Sequence, residues 1–216
     1  MTELFGRIPE EKRSRIMEAA ISEFAGCGYE SANINHIAQK ARVSVGSLYK
    51  YFDNKQDLFL SMVQFGSQVL KSKFDEVMQG DEDILVKVEK LLRTIQRHSR
   101  EQRSMIRLYN EMTTQCDPLI VKPAATDMET PSAELYSSLI LQMQQAGVVR
   151  GDIDVRMFAF LLDNIFMMLQ FGYACDYYRE RFKIFVRDDI FQNDDYVIDQ
   201  VLKFVKAAFE RREPVE

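Results

Sequence analysis

Ser44, Ser47, Tyr49, Lys50 and Tyr51 place two hydroxyls, two phenols and one ammonium within eight positions. None of them has a base beside it to make a nucleophile. Imidazole is supplied only by His36 and His98, and neither belongs to a catalytic or metal-ligand constellation. Clustered groups of this kind act by hydrogen bonding and charge pairing, above all toward phosphate oxygens and base edges. Lys50 suits a base edge and a phosphate about equally. Ser44 can cap a helix and, with the N–H groups that follow, hold a phosphate. Tyr49 and Tyr51 can donate phenolic hydrogen bonds to phosphate, although Tyr51 suits partial core packing nearly as well. Arg42 and Lys55 flank the cluster, and Gln39 and Lys40 precede it as candidates for flanking contacts of the same kind.

Two short helices can position these groups. Ile34, Ile37, Ala38 and Ala41 recur at helical spacing behind Asn33, an N-cap residue. Arg42 and Val43 interrupt the pattern. A second helix can then start at Ser44 and run through Val45 and Leu48 to Tyr51 or Phe52. Leu48 and Phe52 serve best facing inward. A pair of helices around so short a turn is a helix-turn-helix, whose second helix fits a DNA major groove.

The stretch from Ile16 to Phe59, with AAISEFAGCGYES followed by INHIAQKARVSVGSLYKYFDNKQDLF, resembles the DNA-binding domain of the TetR family of bacterial repressors. The paired LYKYF and NKQDLF elements carry most of the likeness, which covers about the first quarter of the chain. The resemblance implies an all-α protein: a three-helix DNA-binding domain containing the helix-turn-helix at 1–54, then a larger helical effector-binding and dimerisation domain at 55–216. It further implies a repressor that binds a palindromic operator as a homodimer and is released by a small molecule. Lys55 resembles the family's phosphate-contacting lysine. In two places the sequence departs from the family pattern. Arg42 stands where the family usually has glycine, and His36 where a capping-box carboxylate is common.

Bulk properties agree with this reading. The chain has 216 residues, enough for one medium domain or two small ones, and its 46% hydrophobic content suffices for a core. The net charge of −5 argues against nucleic-acid binding until its distribution is considered: residues 1–57 hold eight basic and eight acidic side chains, so the acidic surplus lies beyond them. No uninterrupted apolar run reaches the roughly 18–20 residues of a membrane span, and the N-terminus does not read as a signal peptide. A cytoplasmic protein with no membrane partner is therefore expected. Cys27, Cys116 and Cys175 are too dispersed for a disulfide framework or a zinc site and read as core or cavity-wall thiols. No cofactor or metal is expected.

In chain order, residues 1–8 read as an arm from which Arg7 could reach the DNA. A helix follows from Pro9 to about Ala25, ended by Gly26 and Gly28. Tyr29 is expected to pack between that helix and the helix-turn-helix. Asp53 or Asn54 can cap a long helix from Lys55 toward Met78, with Gly66 as a weak point, and Asp81 or Asp83 can cap the next, through Ile95. A sixth helix is expected from Gln102 to Thr114. Pro118, Pro123 and Pro131 mark the least regular stretch, read as a loop or short helix before a clearer one from Ser132 to Gly147. Asp152 or Asp154 can cap the apolar run from Val155 to Tyr178, and a last amphipathic helix carries Val197 to Ala208.

Met62, Phe65, Met105, Tyr109, Met112, Met143, Phe166, Phe171 and Cys175 suit the wall of a cavity for an aromatic or lipophilic effector, with Arg107 as a possible anchor for a carboxylate; each also suits a plain core. Dimerisation is assigned to Phe158, Leu162, Ile165, Val197, Val201, Phe204, Val205 and Ala208. An enzyme is disfavoured for want of a catalytic constellation. The alternative is a helical dimeric small-molecule-binding or structural protein without specific DNA binding, which would leave the LYKYF–NKQDLF arrangement unexplained.

Overall fold

A computed structural model of the chain describes residues 2–114 and 118–209, with side chains from 121 onward in the second stretch. Among the described residues the chain is helical, without strands. Its helices are α1 (Glu3–Gly6), α2 (Glu10–Ser31), α3 (Ile34–Lys40), α4 (Val45–Tyr51), α5 (Lys55–Met78), α6 (Ile84–Glu101), α7 (Arg103–Thr114), α8 (Pro118–Gln145), α9 (Val155–Ala174), α10 (Asp176–Phe185) and α11 (Asp194–Phe209), with one 3-10 turn at Ile190–Gln192. The starts are set by side chains that satisfy orphan N–H groups. Asn54 accepts from Asp57 N–H, Asp83 from Leu85 N–H and Asp154 from Met157 N–H, each at 2.8 Å.

Packing divides the helices into two compact units. The first holds residues up to 69 together with 102–127; the second holds 70–101 together with 128 onward. Along the sequence, α5 and α8 therefore each contribute to both. The first unit builds its core from Ile16, Ala20 and Phe24 of α2, Ile37 of α3, Leu48 of α4 and Phe59 of α5, all buried. Helix α7 packs along α2. In the second unit, Val88, Leu91, Leu92 and Ile95 form the buried stripe of α6, which packs against α9 and α11. Gln96, on a neighbouring face, donates to the Tyr173 hydroxyl at 2.7 Å; that hydroxyl donates to Asp194 at 2.9 Å, which also accepts from Arg100.

Several expectations need correction. The first residues are not an arm: Phe5 of α1 is 2% exposed, and its ring lies 5.7 Å from that of Tyr51 and 4.9 Å from that of Phe52. Thr2 completes the attachment, donating its N–H to Tyr51 O at 2.9 Å and its hydroxyl to Lys50 O at 3.2 Å. Arg7 pairs with Glu3. Tyr29 packs its ring on Phe24 of α2 and Phe59 of α5. The helix ending at Gly28 resumes for one more stretch to Ser31 after a left-handed kink, φ 77°. Helix α5 runs unbroken through Gly66, and the Met105 side chain lies where a Cβ would stand, so only glycine admits that contact without a shift.

The proline-rich stretch is helical too. Pro118 stands at the first position of α8, where its missing N–H costs nothing, and the helix continues past Pro123 and Pro131 to Gln145. It ends as read from sequence: Gly147 has φ 74°, Gly147 N–H bonds Gln144 O and Val148 N–H bonds Met143 O, a Schellman ending. The run from Val155 breaks at Cys175, whose extended backbone separates α9 from α10. Helix α9 is long and apolar enough to cross a bilayer by length and composition, although Arg156 and Asp163 interrupt its apolar run, and more than half of it is buried within the protein. Of the thiols, Cys175 is buried and Cys27 is exposed, not in the core; Cys116 lies outside the described residues. Among the described residues no group of His, Cys, Asp or Glu has metal-binding geometry.

Candidate nucleic-acid interface

The turn between α3 and α4 is fixed from both sides. Asn33 Oδ1 accepts the Asn35 N–H at 2.8 Å. His36 occupies the position from which a carboxylate would reach back to the cap's own N–H. That carboxylate comes from another helix instead: Glu23 of α2 accepts Asn33 N–H at 3.4 Å. Glu23, 7% exposed, also accepts from Lys40 Nζ at 3.0 Å and lies 3.3 Å from His36 Nδ1. The hydrogen bond from Lys40 is the main cause that holds its carboxyl below the usual glutamate range, outweighing desolvation. One buried carboxylate thus clamps the first helix of the motif onto α2.

Helix α3 closes with a Schellman motif. Val43 N–H bonds Ala38 O and Arg42 N–H bonds Gln39 O, which places Arg42 at the left-handed position with φ 56°. This is the position where a glycine avoids the Cβ penalty, which accounts for the family's usual residue there. Arg42 adopts the same turn at some strain and keeps its side chain exposed. Ser44 then starts α4, its Oγ accepting Ser47 N–H at 3.1 Å.

Helix α4 sorts its residues by face. Leu48, Tyr51 and Phe52 are buried, whereas Tyr49 is 51% exposed and Lys50 is also exposed. Ser44 is exposed and Ser47 half-buried. Tyr51 goes to the core: its ring is covered by Phe5, and its hydroxyl accepts from Lys12 Nζ at 3.0 Å. Lys55, half-buried, donates to Glu30 O at 2.9 Å and lies 5.0 Å from the centre of the Tyr29 ring, so it closes the end of α2. Gln39 and Lys40 are exposed on α3. The turn therefore gathers Gln39, Lys40, Arg42, Ser44, Tyr49 and Lys50 as exposed groups. The Phe5 staple escaped the sequence reading because one apolar residue in a four-residue helix has no periodicity to detect.

The other assigned residues divide between the units. Met62, Phe65, Met105, Arg107, Tyr109 and Met112 belong to the first, and Met143, Phe166, Phe171 and Cys175 to the second. Met62, Met105, Met112, Met143, Phe166, Phe171 and Cys175 are buried; Arg107 and Tyr109 are half-buried, and Phe65 is 42% exposed. Of the dimerisation set, Phe158, Leu162, Val197 and Val205 lie inside the second unit's own core. Ile165, Val201 and Ala208 are half-buried, and Phe204 is 66% exposed. The exposed apolar face of α9 consists of Met157, Phe160, Leu161 and Met168. On a single chain these exposed residues lie about one position from the assigned Phe158, Leu162 and Ile165, because α9 is apolar on more than one face.

A short second helix held to a three-helix core, with its polar residues outward, defines a helix-turn-helix DNA-binding protein. Residues 16–62 match the model of bacterial regulatory proteins of the tetR family. The HTH-type transcriptional regulator YhgD of Bacillus subtilis is 23% identical over 163 residues, 76% of this chain and 84% of that protein. The HTH-type transcriptional repressor SCO4008 of Streptomyces coelicolor is 43% identical over 58 residues, 27% of this chain and 30% of that protein. In fold, the chain is similar to the transcriptional regulator FadR from Bacillus subtilis, solved in complex with stearoyl-CoA: TM-score 0.72, 15% identity, covering 91% of this chain and 99% of that one. Residues 16–62 thus carry a DNA-binding region of the tetR-family type, and the likeness over the rest of the chain is one of fold. These relatives are transcriptional regulators, not enzymes.

Proposed function

We propose that this protein represses transcription as a cytoplasmic homodimer on an inverted-repeat operator, and that a small lipophilic molecule bound within residues 55–216 releases it. The observation that carries the reading is the outward set on the fixed turn: Arg42, Ser44, Tyr49 and Lys50 are exposed, and Leu48, Tyr51 and Phe52 lock the helix beneath them. Lys50 reads a base edge, while Arg42, Ser44 and Tyr49 hold phosphates. Residues 1–54 do the reading; the rest carries ligand and partner.

The dimer is supported by Met157, Phe160, Leu161 and Phe204, large apolar side chains exposed on α9 and α11 of a single chain. A lipophilic effector is supported by the buried Met and aromatic residues, by the absence of any glycine-rich phosphate loop in the sequence, and by a fold neighbour solved with stearoyl-CoA. Control requires that the ligand bind the released state more tightly than the DNA-bound one. Selection of duplex sites, followed by operator titrations with and without acyl thioesters and steroids, tests both halves. A ligand that saturates the protein and leaves operator affinity unchanged is not the effector.

A further inference from the structure

The buried stripe of α6 begins with Val88, Leu91, Leu92 and Ile95 and continues, at the same helical spacing, to His98 and Ser99. These two are as deeply covered as their apolar neighbours: His98 is 2% exposed and Ser99 0%. Yet neither ring nitrogen of His98 nor the Ser99 hydroxyl has a hydrogen-bond partner. Buried polar groups are nearly always paired, and leaving one unpaired costs about 1–3 kcal/mol. A helix needing only to pack would carry leucine and alanine at these positions. Two adjacent unpartnered groups on one buried stripe form a polar spot whose hydrogen-bonding capacity no protein group takes up.

We propose that His98 and Ser99 are the polar end of the effector site, and that they take an uncharged oxygen of a lipophilic ligand: a carbonyl of an ester, thioester or ketone, or a hydroxyl. This rests on the small-molecule control proposed above. Burial, and secondarily the Lys73 charge, hold the His98 imidazole to its neutral form, against the opposing charge of Glu101. A neutral imidazole offers one donor and one acceptor, and serine offers both. The pair therefore suits an oxygen that accepts one bond and, as a hydroxyl, returns one. A carboxylate would favour the protonated imidazole and so work against its surroundings.

The chain has two histidines, so a His36→Gln variant leaves the His98 imidazole as the one histidine ring signal in a proton NMR spectrum. Probes are octanoyl to hexadecanoyl N-acetylcysteamine thioesters, uncharged 3-ketosteroids, and free fatty acids of matched length. Binding of a thioester or ketosteroid is expected to shift the His98 signal while its titration stays below that of a free imidazole. His98→Leu and Ser99→Ala are expected to raise the melting temperature without ligand and to weaken binding of the same probe at least tenfold. A lowered melting temperature in both variants would show the groups to be satisfied by internal water and overturns the proposal. So do free acids binding better than their uncharged counterparts, and failure of every probe to bind the wild-type protein. If a probe binds and releases operator equally well in wild type and in both variants, this inference falls and small-molecule control stands.

Discussion

Glu111 of α7 accepts the backbone N–H of Tyr29 at 3.0 Å, one residue past the left-handed Gly28. The same carboxylate oxygen lies 3.1 Å from where a Cβ on Gly28 would stand. The kink of α2 and the carboxylate that receives it thus depend on one another, and α7 is tied by this bond to the helix onto which Glu23 clamps α3. Glu111→Ala removes this acceptor, a loss of about 1–2 kcal/mol in urea unfolding. Gly28→Ala meets both the positive φ and the carboxylate, and should cost at least as much. Wild-type stability in both variants would show that the kink is held by packing alone.

Arg42 separates backbone geometry from DNA contact. Arg42→Gly relieves the left-handed strain, so thermal stability should hold or rise, by up to about 1 kcal/mol. Operator affinity should nevertheless fall, and its dependence on salt concentration should lessen by about one counterion, because a phosphate contact is lost. Unchanged affinity and salt slope would place Arg42 off the DNA.

Glu23 gives the stability of the first unit a pH dependence with a definite sign. Its carboxyl is held below the usual glutamate value of about 4.3 in the folded state, so its contribution is present above that value and lost as pH falls through the lowered one. Glu23→Gln should therefore be less stable than wild type at pH 7, with the gap closing as the pH drops below about 4. Circular-dichroism melts at several pH values check this. A gap that is constant from neutral to acid would mean that the charge on Glu23 is not what clamps α3.

Phe204 is exposed on a single chain, so a charge placed there leaves the fold intact. Phe204→Asp should show unchanged helicity and melting at high dilution, yet sediment as a monomer at micromolar concentrations where wild type is a dimer. A dimeric Phe204→Asp protein would move the interface away from α11.

Local signals were readable in the sequence because each acts within a turn or two of chain. The caps at Asn33, Ser44 and Asn54 and the glycine ending at Gly147 are of this kind, as is the period of the α6 stripe. What escaped depends on distant partners. Glu23 supplies the capping carboxylate that His36 lacks, from ten residues before Asn33. Phe5 packs on Tyr51 and Phe52, which nothing in the first eight residues announces. The phase of α9 could not be read, since Phe158 and Phe160 are equally apolar yet one is buried and the other exposed. Pro123 and Pro131 sit inside a helix that single-residue preference opposes.

The most direct test of the central claim is selection of duplex DNA from a random pool by the folded protein, repeated with Lys50→Ala. The expected result is an inverted repeat whose half-sites lie about one helical turn apart, centre to centre, or a multiple of that. Lys50→Ala should lose preference at one or two positions in each half-site. Folded wild-type protein that enriches no duplex sequence would contradict the account.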